Sequence, residues 1–302
     1  MRLPESPIPD SSFKLPKRMM RMARLAAVVY LGVLTVLYSL QTRLIFPGQE
    51  TQGQPFAEVR PRPGTELLRL RTPRGESVVA LYGPALTPDG RPHPQAANRP
   101  TLIYFYGNAM CLSYASTEFD QFRRLGLNVL IPEYVGFGMS SGSASEKGCQ
   151  ATADAAYDEL VAHRGIDPGR IVAAGWSLGG AVAVDLASRR RVGGLIIFCT
   201  FTSAVEMARR LLPIVPVSLL LRHRFEALRK IDRVDCPVLV GHGRIDRIVP
   251  FDMGRRLAAA ARGPVTTLWI DQADHNDFYE VAGRRIDQAI TRFLDESFPS
   301  GR

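Results

Sequence analysis

From about residue 66 onward, short apolar runs alternate along the chain with longer amphipathic stretches. The apolar runs predict eight β-strands: Glu66–Arg71, Ser77–Tyr82, Thr101–Tyr106, Asn128–Pro132, Arg170–Ala174, Gly194–Cys199, Pro237–Gly241 and Val265–Ile270. The amphipathic stretches predict α-helices at about 112–125, 147–164, 178–190, 252–261 and 277–296. Several later strands are apolar throughout, which is typical of parallel strands covered by helices on both faces. The pattern therefore predicts an α/β fold with a doubly wound, mostly parallel sheet.

Residues 203–231 interrupt this alternation, because the segment is longer than a single helix that connects two strands. Pro213 and Pro216 divide the segment into at least two short helices. We expect a small helical cap over the carboxyl edge of the sheet at about 203–231. Its eight large aliphatic residues either line an apolar pocket for an acyl chain or pack against one another.

A long uncharged run precedes the alternating region. Between Arg24 and Arg43 lie 18 uncharged residues, LAAVVYLGVLTVLYSLQT. As a helix this run spans about 27 Å, close to the hydrocarbon thickness of a bilayer. A cleaved signal peptide is the alternative, but the run is long for one and no small-residue cleavage site follows it. The run therefore predicts an uncleaved transmembrane anchor at residues 25–42.

The charge distribution gives this anchor an orientation. The net charge is +9, and residues 1–24 contain six basic residues against two acidic ones. The positive-inside rule therefore predicts a basic cytoplasmic tail at residues 1–24 and a domain across the membrane, which is the periplasm for a bacterial source. The alternative is a domain on the cytoplasmic face. Residues 43–65 are rich in Pro, Gly and Gln and predict a linker to a single domain at residues 66–302.

Composition narrows the classes of protein that fit. The 302 residues are 46% apolar and 22% charged, which suits a large domain with its own core. The four cysteines include no CxxC pair, which argues against a zinc ribbon or a disulfide scaffold. Basic residues beyond the N-terminal region are scattered, without the aromatic interleaving typical of nucleic-acid binding. Nucleic acid is therefore excluded as a partner.

The sharpest chemical motif is GWSLG at residues 175–179. It follows an apolar run and precedes a helical stretch, as a nucleophile elbow requires. Small residues at positions 175 and 179 let strand and helix approach around a strained turn. That turn lifts the Ser177 hydroxyl clear of the sheet. The motif therefore predicts Ser177 as a nucleophile.

A nucleophilic serine needs a base to take its proton and a carboxylate to orient that base. In the elbow fold both follow the serine, each in a loop after a later strand. His275 lies between the last predicted strand and the last helix, and Asp246 follows the strand VLVG. His242 ends that strand, where a structural role fits better. We therefore predict Asp246 as the acid and His275 as the base.

Two backbone N–H groups are expected to form an oxyanion hole. One belongs to Leu178, directly after the nucleophile. The other lies in the loop after the third strand, where Gly107 permits a tight turn and Asn108, or Ala109 one place on, can face the site. We predict Leu178 and Asn108 as the donors.

Together these motifs resemble the alpha/beta-hydrolase superfamily, and more narrowly its single-pass, membrane-tethered serine hydrolases. The matching segments lie within residues 101–280 and are TLIYFYGNAM, VLIPEYVGFGMSSG, RIVAAGWSLGG, IIFCTFTSA, CPVLVGHGRIDRIVP and ADHNDFYE. The resemblance implies hydrolysis of an acyl ester, thioester or amide, with Ser177 as nucleophile, Asp246 as acid and His275 as base.

The chain departs from the family pattern at two positions. Tyr106 stands where the family usually has His before Gly-Asn, and Glu133 stands where it has Asp before Tyr. Neither position belongs to the predicted triad. Tyr106 is expected to change how the loop is held or what enters the site.

The sequence thus predicts a membrane-anchored serine hydrolase that forms an acyl-Ser177 intermediate on a small-molecule or lipid acyl ester or thioester. This chemistry needs no metal or organic cofactor. Two alternatives stay open. One is an aminopeptidase-type amide hydrolase, which usually needs a carboxylate cluster to hold the substrate amine. The other is a catalytically silent, membrane-tethered interaction protein on the same fold.

Overall fold

The computed structural model describes residues 16–299. Contacts divide the chain after Gln41 into two units, which are described separately. Helix α1 spans Lys17–Ile45. Its residues up to Gln41 belong to the first unit, and its last four residues belong to the second unit. Of the basic tail predicted at residues 1–24, residues 1–15 lie outside the described residues.

Helix α1 covers the whole of the predicted transmembrane segment. Within residues 16–299, it is the one helix that is long and apolar enough to cross a membrane, and none of its apolar window is buried. Two hydroxyl groups on it are satisfied by the helix itself. Thr35 donates to the Leu31 carbonyl at 2.9 Å, and Ser39 donates to the Thr35 carbonyl at 2.8 Å.

The second unit is built on an eight-stranded sheet. Its strands are β1 Glu66–Arg71, β2 Ser77–Gly83, β3 Thr101–Phe105, β4 Asn128–Pro132, β5 Ile171–Trp176, β6 Gly194–Phe198, β7 Val238–Gly243 and β8 Val265–Ile270. Their order in the sheet is β1-β2-β4-β3-β5-β6-β7-β8. Strands β1 and β2 are antiparallel to their neighbours, and the strands from β4 to β8 pair in parallel. The predicted mostly parallel α/β sheet is confirmed.

Helices connect these strands. The larger ones are α2 Ser116–Arg124, α3 Glu146–Asp158, α4 Leu178–Arg189, α8 Phe251–Ala260 and α9 Phe278–Ser297. Three short helices lie between β6 and β7, namely α5 Ala204–Leu211, α6 Val217–Leu220 and α7 Ala227–Ile231. The central strands β3, β4 and β6 are buried along their whole length. The sheet therefore forms the core, and its carboxyl edge carries the loops in which the predicted site residues lie.

Helix α2 begins four residues later than the pattern predicts. Residues 112–115 form turns instead of a first helical turn. The Leu112 N–H donates to the carboxylate of Glu133 at 2.7 Å. This hydrogen bond ties the turn at residues 112–115 to the residue that follows β4.

The cap segment predicted at about 203–231 contains helices α5, α6 and α7. Val217 is buried, whereas Leu211 is 76% exposed and Leu219 is 85% exposed. Much of the aliphatic surface of this segment is therefore exposed to solvent.

Residues 43–65 are more ordered than the linker that their composition suggests. They contain two short 3₁₀ turns, Pro47–Thr51 and Pro55–Ala57. Phe46 and Ala57 are both fully buried. At least the first part of this segment therefore packs as part of the domain.

Candidate active site

Ser177 occupies a sharp turn between β5 and α4. Its backbone has φ 57° and ψ −116°, a strained conformation for a residue with a side chain. The Ser177 N–H donates to the Phe198 carbonyl at 2.9 Å, which ties the turn to the neighbouring strand β6. The conformation is the one that a nucleophile elbow requires.

The glycines around Ser177 permit this turn because side chains would not fit. A Cβ atom on Gly175 would overlap the backbone of Gly179. A Cβ atom on Gly179 would overlap the Phe105 carbonyl, and one on Gly180 would overlap the Thr200 side chain. Strand β5, helix α4 and the end of β3 are therefore in backbone contact at the elbow.

A continuous chain of hydrogen bonds joins three of the predicted residues. Ser177 Oγ lies 3.1 Å from His275 Nε2, and His275 Nδ1 lies 2.8 Å from Asp246 Oδ2. Because a carboxylate can only accept, Nδ1 carries the proton and Nε2 is the acceptor that faces Ser177. Asp246 and His275 are both buried. The arrangement allows a proton to move from the serine hydroxyl to the imidazole.

The carboxylate of Asp246 is held in its charged form. Its Oδ1 accepts from the backbone N–H groups of Ile248 at 2.9 Å and Val249 at 2.7 Å. Burial by itself would raise the pKa of Asp246, but hydrogen bonds from His242, His275 and the Val249 N–H outweigh it and hold that pKa well below its ordinary value. An ionised Asp246 stabilises a protonated His275.

His242 makes a contact that the sequence did not reveal. Its Nε2 lies 3.2 Å from Asp246 Oδ2 and 2.8 Å from the Val249 carbonyl. Because a carbonyl only accepts, Nε2 carries a proton that both oxygens share. The sequence signal that could have indicated this contact is the spacing of His242 and Asp246, which lie four residues apart at the end of a strand.

Trp176 packs on His275 from the elbow itself. The two rings stack with centroids 5.1 Å apart and an interplanar angle of 25°. A flat aromatic face beside the imidazole limits its rotation.

Cys199 also lies next to these groups. Among residues 16–299, Cys199, Asp246 and His275 are the group of potential metal ligands whose donor atoms lie within 4.8 Å of one another. Asp246 and His275 are already hydrogen bonded to each other. Burial raises the pKa of the Cys199 thiol, and a protonated thiol is a poor metal ligand. The geometry of this group therefore fits a hydrogen-bonded cluster better than a metal site.

The loop after β3, residues 107–112, lies beside the elbow. A Cβ atom on Gly107 would come within 3.3 Å of the Trp176 ring. Leu178 is the first residue of α4, so its N–H has no preceding carbonyl within the helix to bond with. The loop that contains Asn108 thus begins against Trp176, the residue before Ser177, and the N-terminus of α4 begins directly after Ser177.

The two departures from the family pattern contact each other. The Tyr106 hydroxyl donates to Glu133 Oε1 at 3.0 Å, and the Tyr134 hydroxyl donates to the Tyr106 carbonyl at 2.9 Å. Glu133 also accepts from the Leu112 N–H at 2.7 Å and the Met139 N–H at 2.9 Å. Burial raises the pKa of Glu133 despite these hydrogen bonds, which lower it. The buried carboxylate therefore binds residues at both ends of the loop at residues 107–112, through the Tyr106 hydroxyl and the Leu112 N–H.

Fold and site together define an alpha/beta hydrolase, and comparison with known proteins agrees. The alpha/beta hydrolase family model matches residues 104–230. The chain is 31% identical over 239 residues to the alpha/beta hydrolase domain-containing protein 17B of Xenopus tropicalis, with 78% of each chain covered. The chain belongs to the alpha/beta-hydrolase family.

A more extensive match is to a protein of Mycobacterium tuberculosis that is described as uncharacterised. It is 33% identical over 287 residues, covering 94% of this chain and 98% of the relative. Among solved structures, an esterase of Pyrococcus furiosus superposes with a TM-score of 0.61 at 17% identity, covering 77% of this chain and 92% of the esterase. At that identity the likeness shows the shared fold alone.

Proposed function

We propose that this hydrolase is a membrane-anchored serine hydrolase that cleaves an acyl ester or thioester through an acyl-Ser177 intermediate. The observation that carries the proposal is the hydrogen-bond chain from Ser177 Oγ through His275 to Asp246, with distances of 3.1 and 2.8 Å. Membership of the alpha/beta-hydrolase family supports the reaction class.

In the acylation step, Ser177 Oγ attacks the acyl carbonyl carbon while His275 Nε2 takes the hydroxyl proton. Asp246 holds Nδ1–H and stabilises the imidazolium. The N–H groups of Leu178 and Asn108 donate to the oxyanion that develops on the carbonyl oxygen. The intermediate collapses, the bond to the leaving group breaks, and His275 returns its proton to the leaving alcohol or thiol.

Deacylation repeats these steps with water. His275 takes a proton from a water molecule that attacks the acyl carbon, and the same N–H groups stabilise the second oxyanion. The acyl–oxygen bond to Ser177 then breaks, Ser177 Oγ recovers the proton, and the free acid leaves. Side chains, backbone amides and water supply every group that these steps use.

The proposed substrate class is tested with substrates that differ in the leaving group. A p-nitrophenyl ester and an acyl thioester of the same chain length are expected to be hydrolysed, because p-nitrophenolate and thiolate are good leaving groups. The aminoacyl amide of p-nitroaniline is expected to react at least about 100-fold more slowly in kcat/KM. Faster hydrolysis of the amide would favour the aminopeptidase alternative, and hydrolysis of none of the three would favour a silent protein.

The membrane part of the proposal rests on helix α1. Its length and composition suit a bilayer. The hydroxyls of Thr35 and Ser39 bond to the helix backbone, which removes the cost of burying them in hydrocarbon. Thus residues 1–24 are proposed as the cytoplasmic tail, residues 25–42 as the span, and the hydrolase domain as lying across the membrane.

This arrangement predicts the behaviour of the full-length chain in cells. The protein should stay in the membrane pellet after alkaline carbonate extraction, and its N-terminal sequence should begin before residue 25. A reporter fused after Arg302 should be active only on the side opposite the cytoplasm. An N-terminus after residue 43 would indicate a cleaved signal peptide instead. A reporter active in the cytoplasm would reverse the orientation.

A further inference from the structure

Residues 46–53 directly follow helix α1, and we refer to them as the strap. The strap begins with Phe46, which is fully buried and whose ring lies 5.0 Å from the His223 ring and 5.9 Å from the Phe225 ring. Gly48 and Thr51 are buried as well. A segment packed this closely is fixed relative to the domain.

The strap holds Asn108 by its main chain, and Ile45, the residue before the strap, holds its side chain. The Gly48 N–H donates to the Asn108 carbonyl at 2.9 Å. The Asn108 side-chain amide donates to the Ile45 carbonyl at 3.0 Å. Ile45 ends helix α1, and a carbonyl in the last turn lacks a partner within its helix. The main-chain carbonyl and the side-chain amide of Asn108 are thus both hydrogen bonded to the segment that follows helix α1 or ends it.

The strap is in turn tied to the loop that follows β4. The Thr51 hydroxyl donates to the Gly48 carbonyl at 2.6 Å and accepts from the Gly138 N–H at 3.0 Å. The Gly53 N–H donates to the Gly138 carbonyl at 2.8 Å. The same loop supplies Met139, whose N–H donates to Glu133. The strap, the loop at residues 107–112 and the loop after β4 therefore form one hydrogen-bonded frame.

Gly48 leaves no free space in this frame. A Cβ atom there would lie 2.7 Å from the Asn108 carbonyl oxygen and would overlap the Phe137 ring. Any side chain at this position must push the Asn108 peptide or the aromatic ring away.

We propose that the strap is a positioning element for the oxyanion hole, setting the Asn108 backbone amide toward the oxyanion. The inference rests on the proposed function. An oxyanion donor must lie within about 2.7–3.1 Å of the transition-state oxygen, and the loss of one donor costs about 10²–10³ in kcat. Because the strap starts one residue after α1, the mature enzyme needs the chain from Ile45 onward. Processing that removed the strap with the helix would damage catalysis.

The first test compares Thr51→Val with Thr51→Ser in the full-length protein. Valine has the shape of threonine but makes neither hydrogen bond, whereas serine retains the hydroxyl. Thr51→Val should lower kcat about tenfold or more with KM within about twofold, because an oxyanion donor acts on the transition state and not on the bound substrate. The pH midpoint of kcat/KM should not move, because the hydrogen bonds among Ser177, His275 and Asp246 are left intact. Thr51→Ser should retain at least about half of the wild-type kcat.

The second test compares Gly48→Ala with Gly283→Ala. A Cβ atom on Gly283 would meet nothing within 4 Å, so that variant controls for the substitution itself. Gly48→Ala should lower kcat about 100-fold with an unchanged pH midpoint, and Gly283→Ala should leave kcat unchanged. Thermal unfolding of each variant shows whether it is folded at the assay temperature. If Gly48→Ala does not fold, the Thr51 pair decides.

The outcomes separate the inference from the proposed function. A folded Thr51→Val protein with wild-type kcat would overturn the role of the strap while leaving the serine hydrolase intact. A variant whose KM rises while kcat stays constant would also overturn it, because the defect would lie in substrate binding. A wild-type protein that hydrolyses no ester or thioester would overturn the proposed function and the inference together.

Discussion

Replacing Ser177 by alanine should lower kcat by about 10⁴-fold or more while the protein stays folded. The residue supplies the atom that bonds to the acyl group, and no neighbouring hydroxyl can take its place at the strained turn. His275→Ala should have an effect of similar size, because the proton from Ser177 then has no acceptor. The measurement is the steady-state hydrolysis of a p-nitrophenyl ester by the purified full-length protein.

Asp246→Asn tests the third member of the site. The new amide group would face His275 Nδ1–H with its own N–H bonds or lose the contacts to the Ile248 and Val249 amides. In the first case the imidazole loses the tautomer that accepts from Ser177. In both cases the imidazolium loses the negative charge that stabilises it, and kcat should fall by about 10⁴. The matched control for Ser177→Ala is Ser218→Ala, a serine-to-alanine change in the cap segment, which should keep full activity. Full activity in Ser177→Ala would refute the mechanism, whereas full activity in Asp246→Asn alone would move the acid to another carboxylate, Glu133 or Asp274.

Gly179→Ala should destabilise the domain by about 4 kcal/mol or more. The added Cβ atom would overlap the Phe105 carbonyl group and lie 2.7 Å from the Tyr106 carbonyl oxygen. Both carbonyls belong to the backbone at the end of β3, which pairs with strands on both sides. That strand cannot move aside without breaking its hydrogen bonds, so the elbow itself must open.

Urea unfolding measures this effect, and Gly283→Ala provides the control. Gly283 lies in helix α9, where alanine has room and should be neutral or stabilising by up to about 1 kcal/mol. A Gly179→Ala protein with the wild-type unfolding midpoint would show that β3 and α4 do not approach as closely as the structure has them.

The strands were predictable because their burial depends on local composition. Apolar runs such as IVAAGW and NVLIP are too short for a helix that needs a polar face, and both form central strands. The beginning of α2 was not predictable in the same way. The turn that precedes it is tied to Glu133 by the Leu112 N–H, across 21 residues of sequence. No local pattern encodes such a contact.

The candidate site shows the same division. The GWSLG motif and the order of the later loops led to Ser177, Asp246 and His275, and the structure brings these three side chains within hydrogen-bonding distance. The contact of His242 with Asp246 and the pairing of Tyr106 with Glu133 depend on how strand ends meet in space. A pattern along the chain does not contain this information.

The strap shows most clearly that local composition does not predict tertiary packing. Its Pro, Gly and Gln residues have the composition of a linker, yet Phe46 is fully buried. Gly48 is needed there because its Cβ position is occupied by the ring of Phe137, a residue 89 positions away in sequence. A glycine in a flexible linker and a glycine in a packed turn look alike in sequence.

The most direct test of the account is the site of covalent labelling by a fluorophosphonate. This reagent transfers its phosphonyl group to an activated serine and releases fluoride. The full-length protein should gain one phosphonyl group, and peptide mass spectrometry should locate it on Ser177. The Ser177→Ala protein should gain none. A phosphonyl group on another residue, or an active preparation that gains none, would contradict the assignment of Ser177 as the nucleophile.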